Sequence, residues 1–142
     1  MGMIKSEREY TATKQKIADF KKEIKSISDH YSKKNKDPKL AQAAVQGPKA
    51  FYLQLEEEVN EYEQIKKGQI PNYFFEMENL GLLLIALRIK SGITQSQLAD
   101  KLEVSQAQVS RDENNDYYGV GLPKVKQILK VLGVDLQVKI KR

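Results

Sequence analysis

The chain has 142 residues, with 24 Lys and Arg against 19 Asp and Glu (net charge +5), one His and no Cys. That length suits one compact domain, or a small domain with an appended helical segment. The missing Cys excludes thiolate zinc sites, disulfides and cysteine nucleophiles, and the modest basic excess is compatible with a nucleic-acid partner.

Residues 1–10 are charged, so no secretory leader is expected. The longest apolar run, residues 80–87, falls far short of the roughly 20 residues that cross a bilayer. A cytoplasmic protein without membrane contact is the expectation.

In chain order, residues 7–31 carry Tyr10, Ile17, Phe20, Ile24, Ile27 and Tyr31. From Ile17 the apolar spacing alternates between three and four residues, the seam of an amphipathic helix that needs a partner. Residues 33–37 break the pattern as a polar, basic link. Asp37-Pro38 then signals a new helix, a capping oxygen followed by proline at the first helical position. Leu40, Ala43 and Ala44 form its small apolar face as far as Gly47-Pro48. Proline there removes an amide donor, which predicts a kink or restart. Phe51, Leu55, Val59, Tyr62 and Ile65 continue the stripe, and Gly68 follows as terminator. Helices 7–31 and 38–67 are thus expected as an antiparallel hairpin. The cluster Glu56, Glu57, Glu58, Glu61 and Glu63 reads as a solvated helix face rather than a metal or acid–base site. His30 reads as a surface residue.

Gly68-Gln69-Ile70-Pro71 marks a boundary between residues 1–70, a helical hairpin or oligomerisation region, and residues 71–142. Residues 73–77 are aromatic enough for a short strand. Asn79 is placed to cap a helix with Leu80, Leu83, Leu84 and Leu87 on one face and further apolar residues opposite, so it should be buried on more than one side.

Residues 92–114, GITQSQLADKLEVSQAQVSRDEN, read as two short helices joined by a tight turn. Thr94 and Gln97 form a capping-box pattern. Leu98 and Leu102 share a face with Ala99 beside them, Ser105 can cap the second helix, and Val109 is that helix's buried position. Its other residues, Gln106, Gln108, Ser110 and Arg111, offer amides, a hydroxyl and a guanidinium, the groups that read base edges in a major groove. The shape is a helix-turn-helix, its alternative an ordinary αα-hairpin. Beyond it come a turn-rich loop, residues 115–121, and a helix from Pro123 with Val125, Ile128, Leu129 and Leu132, ended by Gly133. Residues 134–141 alternate apolar and polar, the pattern of a strand with one buried face. Such a strand needs a partner edge, from residues 73–77 or from a second subunit.

Residues 88–132, with the signature ALRIKSGITQSQLADKLEVSQAQVSRDEN, resemble the lambda-repressor-like (Cro/repressor, xenobiotic-response-element) helix-turn-helix family. The surrounding plan also resembles a subgroup of short bacterial regulators that includes antitoxins. Together with the periodicities above, the resemblance gives the expected fold as mainly α: a long-helix hairpin, a lambda-repressor-like helix-turn-helix domain and a short C-terminal β-strand. It implies that Gln95 meets a phosphate or base edge and that Gln106 and Ala107 face bases. Ser110 and Arg111 would reach a further base or phosphate, with Thr94, Ser105, Gln108 and Asn115 in the same DNA-binding set. Arg88 and Glu113 match a structural salt bridge between helices. Two positions depart from the family pattern. Glu103 stands where Gly is usual, so either the turn is not left-handed or it carries strain of about 1 kcal/mol. Asp112 stands where an apolar residue is usual, so it either points outward or lowers DNA affinity.

The leading expectation is a repressor-type, sequence-specific transcriptional regulator that binds double-stranded DNA as a homodimer. The second is an antitoxin-like protein that neutralises a toxin-like partner and autoregulates its operon. With one His, no Cys and no phosphate-cradling glycine loop, no enzyme activity, cofactor or metal is expected.

Overall fold

The computed structural model describes residues 2–34 and 37–142; Asn35 and Lys36 of the basic link, and Met1, lie outside the described residues. The chain divides into two compact units, Met1–Glu63 and Gln64–Arg142.

The first unit is built on α1 (Glu7–Lys33) and α2, which spans Pro38–Lys66 and so carries its last residues into the second unit. Ser6 caps α1 by accepting from the Glu9 amide, and Asp37 accepts from the Lys39 amide at the start of α2. These side-chain oxygens satisfy amides that have no partner inside the helix. Contacts between the helices run in opposite order along them. The Tyr10 hydroxyl donates to Glu63 at 2.6 Å, Tyr62 donates to Glu7 at 3.1 Å, and Phe20 stacks on Phe51 with ring centres 5.8 Å apart. Lys21 pairs with Glu56 at 2.8 Å, and the Glu56 carboxylate raises the lysine pKa. The helices are therefore antiparallel, and part of the acidic cluster serves their pairing. Along the expected seam of α1 only Ile17 is buried; Phe20, Ile24, Ile27 and Tyr31 are half-covered, and Phe51 of α2 is 61% exposed.

The restart expected at Gly47-Pro48 does not occur: α2 runs through Pro48 as one helix. Proline forfeits a single intrahelical bond, and the turns on either side propagate cooperatively across it.

The second unit corrects three further expectations. Residues 73–77 form no strand: the chain coils into two 3₁₀ turns, Asn72–Phe75 and Met77–Asn79, which pack on α3 (Leu80–Lys90). Coiling buries Phe74 to 1% exposure, and a strand at this place would need an edge to pair with. Asn79 does not cap α3 with its side chain; its amide donates to the Tyr73 carbonyl at 2.7 Å and fastens the 3₁₀ turn instead. The C-terminal alternation yields no strand either, and there is none among the described residues. Residues 134–142 adopt no regular secondary structure, with Val138 and Ile140 more than 80% exposed. With residues 73–77 coiled, the edge proposed for it within this chain is missing.

The remaining helices are α4 (Gln95–Leu102), α5 (Gln106–Asn114) and α6 (Leu122–Leu132). Helix α3 packs on α5 and α6, and α4 packs on the same two. Leu84, Ile85, Leu98, Val109 and Ile128, all at most 2% exposed, form the core, each contributing about 1.5–3 kcal/mol by leaving water. Leu83, Leu84, Ile85, Ala86 and Ile89 are all buried, so α3 is covered on more than one side. Gly81 on this helix lies against the loop after α5: a Cβ there would sit 1.8 Å from the Asp116 carbonyl oxygen. Only glycine admits that approach.

Candidate nucleic-acid interface

Helices α4 and α5 are each capped at the start. The Thr94 hydroxyl accepts from the Gln97 amide at 3.1 Å while the Gln97 side chain accepts from the Thr94 amide at 2.9 Å, a complete capping box. Ser105 accepts from the Gln108 amide at 3.1 Å and starts α5. Between them Glu103 adopts a left-handed conformation (φ 56°, ψ 40°), and its amide and that of Val104 close the end of α4 on Asp100 and Ala99. Of the two readings of this turn, the left-handed one is realised, and a side chain occupies a position that suits glycine.

Nine residues are too few for a stable isolated helix, so α5 depends on its surroundings. Val109 at 2% exposure and Glu113 at 0% anchor one side of it. Glu113 accepts from Arg88 of α3 at 2.5 Å (Nε) and 2.9 Å (Nη2), a two-pronged pair with both side chains almost wholly removed from water. The third arm of Arg88 donates to the Ile93 carbonyl at 2.8 Å, and Gln95 Nε2 donates to Glu113 at 2.7 Å. One carboxylate thus ties together α3, the start of α4, and α5. Tyr117 is also buried; burial first, and the Glu113 charge second, push its phenol pKa above the usual range.

The opposite side of α5 is open. Gln106 and Ala107 in the first turn and Arg111 one turn later are exposed, and Ser110 between them is half-buried. Their spacing puts all four on one stripe. Asn115 sits just past the helix end, exposed, with its amide 3.4 Å from the Tyr118 carbonyl. The other members of the expected set are engaged within the protein. The Thr94 and Ser105 hydroxyls serve as caps, and the Gln95 amide nitrogen turns inward to Glu113. Gln108 donates to Asp112 at 2.9 Å and accepts from Arg111 at 3.0 Å. Asp112 also receives Lys124 of α6, so it neither projects into solvent nor stands as an uncompensated negative charge. Sequence reasoning missed this tie. Gln108 to Arg111 and Gln108 to Asp112 are three and four residues apart, spacings that could have suggested contact, but Lys124 lies on another helix.

No group of His, Cys, Asp and Glu that could hold a metal occurs among the described residues, and none of their helices is long and apolar enough to cross a membrane. No curated protein and no solved structure matches the chain. Residues 84–139 match the family model described as helix-turn-helix, the lambda-repressor-like class, which covers α4, α5 and α6 and most of α3.

Proposed function

We propose that this chain, whose residues 84–139 form a lambda-repressor-like helix-turn-helix domain, is a repressor-type, sequence-specific DNA-binding regulator that acts as a homodimer. The observation that carries the reading is the open stripe of exposed Gln106, Ala107 and Arg111 with half-buried Ser110, on a helix clamped from behind by the buried Arg88–Glu113 pair. A rigid helix presenting amide, methyl, hydroxyl and guanidinium groups fits the major groove, where glutamine complements adenine, a small apolar side chain the thymine methyl, and arginine guanine. Asn115, at the helix end, fits a backbone contact. Gln95, whose amide nitrogen is held by Glu113, serves the interface by fixing the start of α4 against α5.

One such helix spans few base pairs, so specificity calls for a second copy at a half-site about one helical turn away. The half-covered seam of α1 and the exposed Leu40 and Phe51 of α2 support association. Selection of bound duplexes from a random pool by the purified full chain, followed by titration across salt concentrations, tests the reading. A two-fold symmetric site bound with salt-dependent affinity is expected. Failure to enrich any sequence would remove it.

The antitoxin reading draws on the same surplus surface, because a helical hairpin of this size exceeds what base reading requires. It expects a small, stoichiometric partner protein to co-purify from the native cell and to be released when Ile24 and Ile27 are replaced by Lys.

A further inference from the structure

Four side chains form a relay from α6 to the open face of α5. Lys124 binds Asp112, Asp112 accepts from Gln108 Nε2 at 2.9 Å, and Gln108 Oε1 accepts from Arg111 Nη2 at 3.0 Å. Charges and dipoles alternate along it. Asp112, paired with a lysine, offers only acceptors, so Gln108 must turn its NH2 toward it. The amide oxygen then faces the other way, where a guanidinium, which has only donors, is its natural partner. The orientation of Gln108 is thus dictated from both ends.

This arrangement changes the role of Gln108. Reading adenine takes the NH2 and the oxygen of one amide together, and here both are turned to protein partners. Arg111 is in the opposite position. It is exposed, and Gln108 is its only hydrogen-bond partner among the described residues, engaging one guanidinium nitrogen and leaving the rest of the planar fork open. A guanidinium held by one edge keeps its direction, and it loses less rotamer freedom when it meets a base.

We propose that Asp112 and Lys124 are positioning residues for DNA reading: through Gln108 they aim Arg111 at a guanine in the half-site. The inference rests on the DNA-binding reading above and adds to it which residue specifies, which base it specifies, and what holds it. Asp112 in this role is the reason an acidic residue is tolerated beside a phosphate backbone.

Two measurements on the full chain test it. In the free protein, the Gln108 side-chain amide and the Arg111 Nε–H should give distinct, dispersed NMR signals. Both should move toward solvent-like positions in Lys124→Met, a change that leaves α5 itself untouched. Signals that stay where they were would overturn the relay whether or not the protein binds DNA. With DNA, the base position read by Arg111 is the one whose preference disappears in Arg111→Ala, and guanine should be the base preferred there. Asp112→Ala, Lys124→Met and Gln108→Ala should each lower the guanine preference at that position by about tenfold, and leave positions altered by Gln106→Ala as they were. Lys124→Arg should retain it.

General electrostatics predicts a different pattern. Removing Asp112 should strengthen and removing Lys124 weaken overall binding, whereas the relay requires guanine preference to fall in both. An unchanged guanine preference in both variants, an equal loss at every position, or a base other than guanine opposite Arg111 would overturn the proposal. Wild-type protein that selects no DNA would defeat the DNA-binding reading and with it the guanine assignment, while the free-protein spectra still decide whether the relay exists. Should Asp112→Ala fail to fold, Lys124→Met carries both measurements.

Discussion

Replacing Glu113 with Gln tests whether the buried clamp holds α5 in place. The side chain is wholly buried and receives Arg88 through two nitrogens, at 2.5 and 2.9 Å, and Gln95 through a third, at 2.7 Å. Glutamine has nearly the same shape, but it lacks the charge and puts an NH2 where one carboxylate oxygen stood. Whichever oxygen it replaces, that NH2 faces an Arg88 donor, and the guanidinium, 3% exposed, loses the Glu113 charge. Breaking one side of such a pair costs about 3–5 kcal/mol, against about 5–15 kcal/mol for the stability of a whole domain. At about 4–8 °C per kcal/mol for a unit of this size, Tm should fall by at least about 12 °C. Urea unfolding of the full chain gives the stability change, and hydrogen exchange of amides in residues 80–132 assigns it to the second unit. The paired replacement Arg88→Met with Glu113→Leu removes both charges and should recover most of the loss. A loss below about 1 kcal/mol for Glu113→Gln, or a double variant as unstable as the two single ones combined, would refute the argument.

Glycine positions make a matched comparison: Gly81→Ala places a Cβ 1.8 Å from the Asp116 carbonyl oxygen, whereas Gly92→Ala meets nothing within 4 Å and carries only a positive φ of 71°. Urea titration should show the first losing more than about 3 kcal/mol and the second about 1 kcal/mol. Glu103→Gly relieves a left-handed side-chain position and should raise stability by about 1 kcal/mol in the same assay, a gain that a decrease would contradict. Tyr117 has a folded-state pKa raised above the ordinary phenol value of 10, so its contribution is fully present below about pH 10 and is lost as pH rises beyond that. Tyr117→Phe should therefore flatten the alkaline limb of the stability curve, measured by urea midpoints between about pH 9 and 11.

Features that depend on a few consecutive residues were legible in the chain itself. Thr94 with Gln97, Ser105 before α5, Asp37-Pro38 and Gly133 are capping signals whose partners lie within one turn, so the ends of these helices followed from local chemistry. The period of Leu98, Leu102 and Val109 likewise identified the faces that had to be buried. Family resemblance added the Arg88 and Glu113 positions, which are 25 residues apart and share no local signal.

Tertiary structure decided the rest, because the outcome turned on partners distant in sequence. The alternation in residues 134–141 is compatible with a strand, but a strand is defined by the edge beside it, and residues 73–77 had coiled to bury Phe74. Gln95 and Gln108 are both polar residues on exposed-looking faces, yet one amide turned inward to Glu113 and the other was taken up by Asp112 and Arg111. Sequence alone determined that a helix-turn-helix exists here and which stripe of it is polar. Only the packed structure decided which of those polar groups remain available to a ligand, since a hydrogen-bonding group is used up by whatever complementary group the fold brings within about 3 Å of it.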